Sequence, residues 1–315
     1  MRIRACDDAR VARSGGSGGS GGSGSGGSGS GGDDDGLETA FVLGGGGLLG
    51  SNEVGMLRAL LEAGVTPDLV VGTSVGAING AAVAAEPTLA AIARLSDMWE
   101  HLAESDVYSG STFRRVRHLA RTRTHAHPND PLRGMLTEQF GATRVEDLAV
   151  PFQCVAASIE RAAEHWFDRG PLVDAVLASA AVPGILPPVA IGDEHFLDGG
   201  LVNSIPVGRA VALGAQTIYV LQVGRIERPL QAPTRPWEVA MVAFEIARRH
   251  RFAGDMAALP DWVTVHVLPT GGTEPPQYAD MSALRYRDFG RVQERIEQAY
   301  QASGDYLREL AQQTG

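Results

Sequence analysis

The stretch Phe41-Val-Leu-Gly-Gly-Gly-Gly-Leu-Leu-Gly50, answered downstream by Asp68-Leu-Val-Val-Gly-Thr-Ser-Val-Gly-Ala-Ile-Asn-Gly80, decides the fold. Phe41, Val42 and Leu43 read as a short apolar strand that stops at a glycine cluster, after which Val54, Leu57, Leu60 and Leu61 recur at helical spacing. Leu69, Val70 and Val71 form a second apolar strand that breaks at Gly72 and runs into a helix of small residues from Ser74 to Val83. Two βα units therefore stand side by side. Outward from them, strands are expected at 152–158, 164–168, 195–198, 217–223 and 262–267. Helices are expected near 88–101, 131–140, 171–180, 237–251 and 282–312. Strands interleaved with helices imply an α/β sandwich. Asp130-Pro131 reads as an N-cap followed by proline at the first helical position, which leaves 102–129 as a long loop-like insertion.

Composition bounds the function. With 315 residues and 44% apolar content the chain can bury a core, so a disordered or fibrous class is excluded. Residues 14–32 are only Gly and Ser and lead into Asp33-Asp34-Asp35. Residues 1–36 are therefore expected to be a flexible tail and 37–315 the folded domain, its motifs lying at 40–224 and further strands and helices at 225–315. The chain contains no lysine, so all 27 basic residues are arginines, and Walker-A loops, Schiff bases and Ser-Lys dyads are ruled out. A net charge of −10 argues against a general nucleic-acid binder. Two cysteines, Cys6 in the tail and Cys154 in an apolar run, build neither a disulfide framework nor a cysteine-rich metal site, and a reducing compartment fits. The first residues lack the apolar core of a signal peptide, and no stretch approaches the length of a membrane span. These features read as a soluble, cytoplasmic protein.

Three turns can carry chemistry. Gly72-Thr73-Ser74-Val75-Gly76 fits the G-x-S-x-G nucleophile elbow, where Gly72 and Gly76 permit the sharp turn that exposes a serine between strand and helix. Gly44-Gly45-Gly46-Gly47 follows the first strand, and its backbone N–H groups, with no side chains in the way, suit an oxyanion. Both turns end adjacent strands, where open α/β sheets place ligands. Gly45-x-Gly47-x-x-Gly50 also satisfies the dinucleotide fingerprint, but the second strand ends in Gly72-Thr73-Ser74 rather than in the acidic residue that would hold a ribose. In Phe196-Leu197-Asp198-Gly199-Gly200 a carboxylate ends a strand, and Gly199 allows close approach of another backbone, so Asp198 is a candidate base. His250 and His266 follow Asp198 in the order an α/β-hydrolase triad requires. His250 sits among arginines at a helix end, however, and His266 in an alternating strand.

Phe41 to Ala85, Ala178-Ser-Ala-Ala-Val-Pro-Gly-Ile-Leu-Pro-Pro-Val and Phe196-Leu-Asp-Gly-Gly-Leu-Val-Asn-Ser-Ile-Pro-Val resemble the ordered blocks of a bacterial patatin-like phospholipase domain, from about residue 40 to about 224. The resemblance implies a three-layer α/β/α sandwich with a mostly parallel central sheet. It also implies a lipid acyl hydrolase that needs no cofactor or metal. Its Ser-Asp dyad would comprise Ser74 as nucleophile and Asp198 as base, with Gly45, Gly46 and Gly47 as oxyanion hole. One departure stands out: Leu49 occupies a position where the family often has a basic residue. A Ser-His-Asp esterase and a non-enzymatic nucleotide-binding module remain the alternatives.

Residues 113–133 hold Arg114, Arg115, Arg117, Arg121, Arg123 and Arg133 but only one acid, Asp130, while Phe113, Val116, Leu119 and Ala120 recur at helical spacing. Such a segment can lie in a membrane interface, which makes transient lipid-surface contact the expected partnership beside the acyl-ester substrate. His125-x-His127 has no carboxylate or cysteine framework around it and reads as an exposed loop rather than a metal site.

Overall fold

The computed structural model describes residues 38–104, 127–223, 229–234, 236–272 and 291–314. In β1 (Thr39–Leu43) Phe41 and Leu43 enter one hydrophobic cluster while Ala40 and Val42 enter another. In β2 (Leu69–Thr73) Val70 faces the first cluster and Leu69 and Val71 the second. Strands covered on both faces lose the polar half of their alternation, and so both read as unbroken apolar runs.

Six further strands complete the sheet: β3 (Phe152–Ser158), β4 (Ala163–Phe167), β5 (Val189–Ile191), β6 (Glu194–Asp198), β7 (Thr217–Leu221) and β8 (Thr264–Val267). Their order is β5-β6-β3-β2-β1-β7-β8, with β4 paired to β3. β3, β2, β1, β7 and β8 run parallel, whereas β4, β5 and β6 join antiparallel on the β3 side. One face is covered by α1 (Ser51–Glu62), α2 (Val75–Ala85), α3 (Leu89–Glu104), α4 (Asp130–Phe140), α5 (Leu172–Ser179) and α8 (Val292–Thr314). The other is covered by α6 (Val207–Ala212) and α7 (Pro236–Ala257). The result is a three-layer α/β/α sandwich.

The differences from expectation are local. β5 has three residues and α6 six, too few for a periodicity to show. Asn129 rather than Asp130 is the N-cap of α4, and Asp130 stands in its first turn, still favourably placed at the positive end of the helix. α7 extends to Ala257, and α8 begins at Val292, since residues 282–290 lie outside the described residues. Residues 1–37 and 105–126 also lie outside them, so the Gly/Ser tail and most of the arginine-rich segment have no structural account. No helix among the described residues is long and apolar enough to cross a membrane.

One feature of the register positions the site. Cys154 and Val155 of β3 pair with β2 and also with β4, so these two neighbours occupy opposite edges of β3. Ala156 to Ser158 pair with β4 and with β6, which puts β6 on the same edge as β2. β2 runs parallel to β3 and β6 antiparallel, so the two meet head to head, Thr73 opposite Val155 and Asp198 opposite Ala156.

Candidate active site

Ser74 follows the last residue of β2 and is the N-cap of α2, with φ 57° and ψ −121°. A non-glycine residue with positive φ is strained, and such strain concentrates at functional turns. The flanking glycines make the turn sterically feasible. A Cβ on Gly76 would lie 2.4 Å from the Leu43 carbonyl oxygen, and one on Gly72 2.5 Å from the Gly76 carbonyl oxygen. The Ser74 side chain does not cap its helix. Its Oγ donates instead to Asp198 Oδ2 at 2.5 Å.

Asp198 ends β6, and its Oδ1 accepts from the Gly200 N–H at 2.7 Å. Burial raises its pKa from 3.8 to about 6, against the lowering effect of the hydrogen bonds from Ser74 and Gly200. A carboxyl in that range is a base at neutral pH and can still hold a proton transiently. Gly199 lies close under β3, where a Cβ would meet the Val155 carbonyl oxygen at 2.1 Å. Ser74 and Asp198 are 7% and 5% exposed, so the pair is held largely out of water.

The glycine turn is nearby, but its residues are not equivalent. A Cβ on Gly45 would lie 3.4 Å from Ser74 Cβ, yet the Gly45 N–H already donates to the Ser204 carbonyl at 2.9 Å. Gly45 is therefore corrected from an oxyanion donor to an anchor of the turn. Gly46 and Gly47 are exposed, and no backbone hydrogen bond among the described residues takes their N–H groups. The loop after Asp198 holds both turns, because the Asn203 carbonyl accepts from Thr73 Oγ1 at 2.8 Å while Ser204 holds Gly45.

Ser179 was not legible from the sequence. Its hydroxyl accepts from the Ser74 N–H at 2.9 Å and donates to the Val155 carbonyl at 2.6 Å, pinning the elbow to β3 and α5. Ala178-Ser-Ala-Ala belongs to a recognisable block, but a serine among alanines shows its partner only in three dimensions.

The two candidate triad histidines, His250 and His266, are elsewhere. His266 on β8 lies beyond β1 and β7 from β2, about 14 Å across the sheet at roughly 4.8 Å per strand. It stacks on Tyr219 with ring centroids 5.0 Å apart, and its Nδ1 is 3.0 Å from the Tyr306 hydroxyl. His250 is exposed on α7. The His127 N–H donates to the Ile185 carbonyl at 2.9 Å, while His125 lies outside the described residues. Among the described residues no cluster of His, Cys, Asp and Glu is arranged to hold a metal. Arg133, the described arginine of the basic segment, pairs with Asp174 at 2.6 Å.

Comparison with known proteins places the chain in a family. A family model described as Patatin-like phospholipase matches residues 41–211. Lysophospholipase nte1 of Aspergillus terreus is 31% identical over 193 residues, covering 61% of this chain and 12% of that protein. Patatin-like phospholipase domain-containing protein 7 of Rattus norvegicus is 32% identical over 187 residues, covering 59% of this chain and 13% of that protein. The match thus spans about an eighth of the length of these curated relatives. The solved structure of VipD from Legionella pneumophila aligns with a TM-score of 0.42 at 12% identity, covering 87% of this chain and 67% of that one.

Proposed function

The chain belongs to the patatin-like phospholipase family, and on that premise we propose that it is a lipid acyl hydrolase working through Ser74 and Asp198. The observation that carries the reading is the 2.5 Å hydrogen bond between a serine held in a strained elbow and a buried carboxylate. Ser74 Oγ attacks the ester carbonyl carbon as its proton passes to Asp198. The N–H groups of Gly46 and Gly47 receive the oxyanion, with the positive end of α2 adding to the field. Collapse of the intermediate expels the alcohol, which takes the proton from Asp198. Water then gives a proton to Asp198 and attacks the acyl-enzyme, and Ser74 leaves with that proton, releasing the fatty acid.

Because two relatives carry the names lysophospholipase and patatin-like phospholipase, phospholipids that have lost one chain are the first substrate class to test. Residues 113–133 keep the lipid-surface role argued from their composition. A fluorophosphonate probe, which reacts with activated serines, is expected to label Ser74 stoichiometrically, and Ser74→Ala to lose both labelling and hydrolysis of lysophosphatidylcholine. Stoichiometric labelling of another serine would overturn the assignment.

A further inference from the structure

Beneath the glycine turn lies a buried polar cluster that the acyl transfer leaves unused. Glu53, in the first turn of α1, and Asn79, on α2, are fully buried, and Trp99 on α3 nearly so. The Asn79 amide is engaged on every side. Its Nδ2 donates to the Gly50 carbonyl at 2.9 Å and to Glu53 Oε2 at 2.7 Å, and its Oδ1 accepts from Trp99 Nε1 at 3.0 Å. Gly50 closes the short 3-10 turn Gly47–Gly50 that continues the glycine run. A Cβ on Gly50 would lie 2.2 Å from Val75 Cγ2, so this turn rests directly on the residue after the nucleophile.

We propose that Asn79 is a positioning residue for acyl transfer, tying the Gly47–Gly50 turn to the nucleophile helix so that the Gly46 and Gly47 N–H groups keep a fixed distance from Ser74 Oγ. The proposal rests on the Ser74–Asp198 reading above. Asn79 and Ser74 share α2 and its N-cap, so a bond from Asn79 to Gly50 transmits any shift of the turn to the nucleophile. Oxyanion donors act through preorganisation, and displacing them forfeits transition-state stabilisation while leaving ground-state binding little changed.

Glu53 fits the same role. Burial pushes its carboxyl well above the ordinary carboxylate range, against the hydrogen bond from Asn79 and the nearby Gly44 amide. The Gly44 N–H is taken by the Leu221 carbonyl at 2.9 Å, and Oε1 has no hydrogen-bond partner. Burial thus favours the neutral form of this acceptor for Asn79. A charged one beneath the turn would oppose the developing oxyanion.

The test measures kcat and KM on a short soluble ester, the phosphonylation rate of Ser74 and the melting temperature, all on the full chain. Asn79→Ala is expected to lower kcat and the phosphonylation rate by about 10²-fold each, with KM within about threefold. Trp99→Phe, which keeps the ring packing and removes only the donor to Asn79, is expected to lower kcat about three- to tenfold with melting little changed. Glu53→Ala should fall as Asn79→Ala does, and Glu53→Gln, a neutral acceptor of the same shape, should restore most of the loss. If Asn79→Ala does not fold, Trp99→Phe and the Glu53 pair decide. Variants that melt lower but keep wild-type kcat and labelling would overturn the positioning role alone. A Ser74→Ala chain that still hydrolyses the ester would overturn the dyad reading and this proposal with it.

Discussion

The end of β6 and the start of α1 each hold a carboxyl removed from water, yet the two are set for different tasks. Asp198 receives two hydrogen bonds, from Ser74 Oγ and from the Gly200 N–H, and burial raises it only to about 6. Glu53 Oε2 accepts from the Asn79 side chain, Oε1 has no hydrogen-bond partner, and burial drives the group well above the carboxylate range against Asn79 and the nearby Gly44 amide. Burial is the largest influence at both places, and what differs is the kind of side-chain donor each carboxyl holds. Asp198 faces a hydroxyl, Ser74 Oγ, that can give up its proton, whereas Glu53 faces the Asn79 amide, which cannot, so the proposed proton transfer fits Asp198 and a structural role fits Glu53.

The largest effect that can break this contrast is on turnover. Asp198→Asn should cost about as much as Ser74→Ala, roughly 10³-fold or more, and the double variant should be little worse, because groups acting as a unit are not additive. Ester hydrolysis by the three variants checks this, and a near-active Asp198→Asn chain would end the dyad reading. The pH profile follows: kcat/KM should climb about tenfold per unit below pH 6 and level off above it, where Asp198 is ionised.

Next in size is stability. The folded pKa of Asp198, about 6, lies above its ordinary 3.8, so the native state holds a proton that the unfolded chain has released. Stability is therefore lost as pH rises between those values, by about 3 kcal/mol in all. Asp198→Asn should escape that loss and melt higher than the wild type at pH 7, the gap closing below about pH 4. Denaturant unfolding across pH measures it, and a constant gap would show that the carboxyl is not raised.

A smaller effect belongs to Ser179. Ser179→Ala removes one hydroxyl from the Ser74 N–H and the Val155 carbonyl, and kcat should fall about tenfold while Asp198 keeps its pH dependence. Wild-type kcat would show that the elbow is held without it. Smallest of all, His250→Ala and His266→Ala should leave kcat within about twofold, and a loss matching that of Ser74→Ala would restore a histidine-based triad.

Much of this protein was determined locally. Gly72 and Gly76 around Ser74, the glycine run after β1 and Asp198-Gly199-Gly200 after β6 are backbone requirements written into consecutive residues, and the apolar runs of β1 and β2 follow from burial on both faces. Short elements such as β5 and α6 left no period to read. Tertiary structure alone decided which N–H groups of the glycine turn are free, since the partner of Gly45 is Ser204, far along the chain. It alone put Asp198 rather than His266 beside Ser74, because β6 abuts β2 on one edge of β3 while β8 lies on the far side of the sheet. Sequence can specify what each turn must tolerate. The distance between two turns, and with it the charge on a buried carboxyl, depends on strand order and on donors contributed by distant residues.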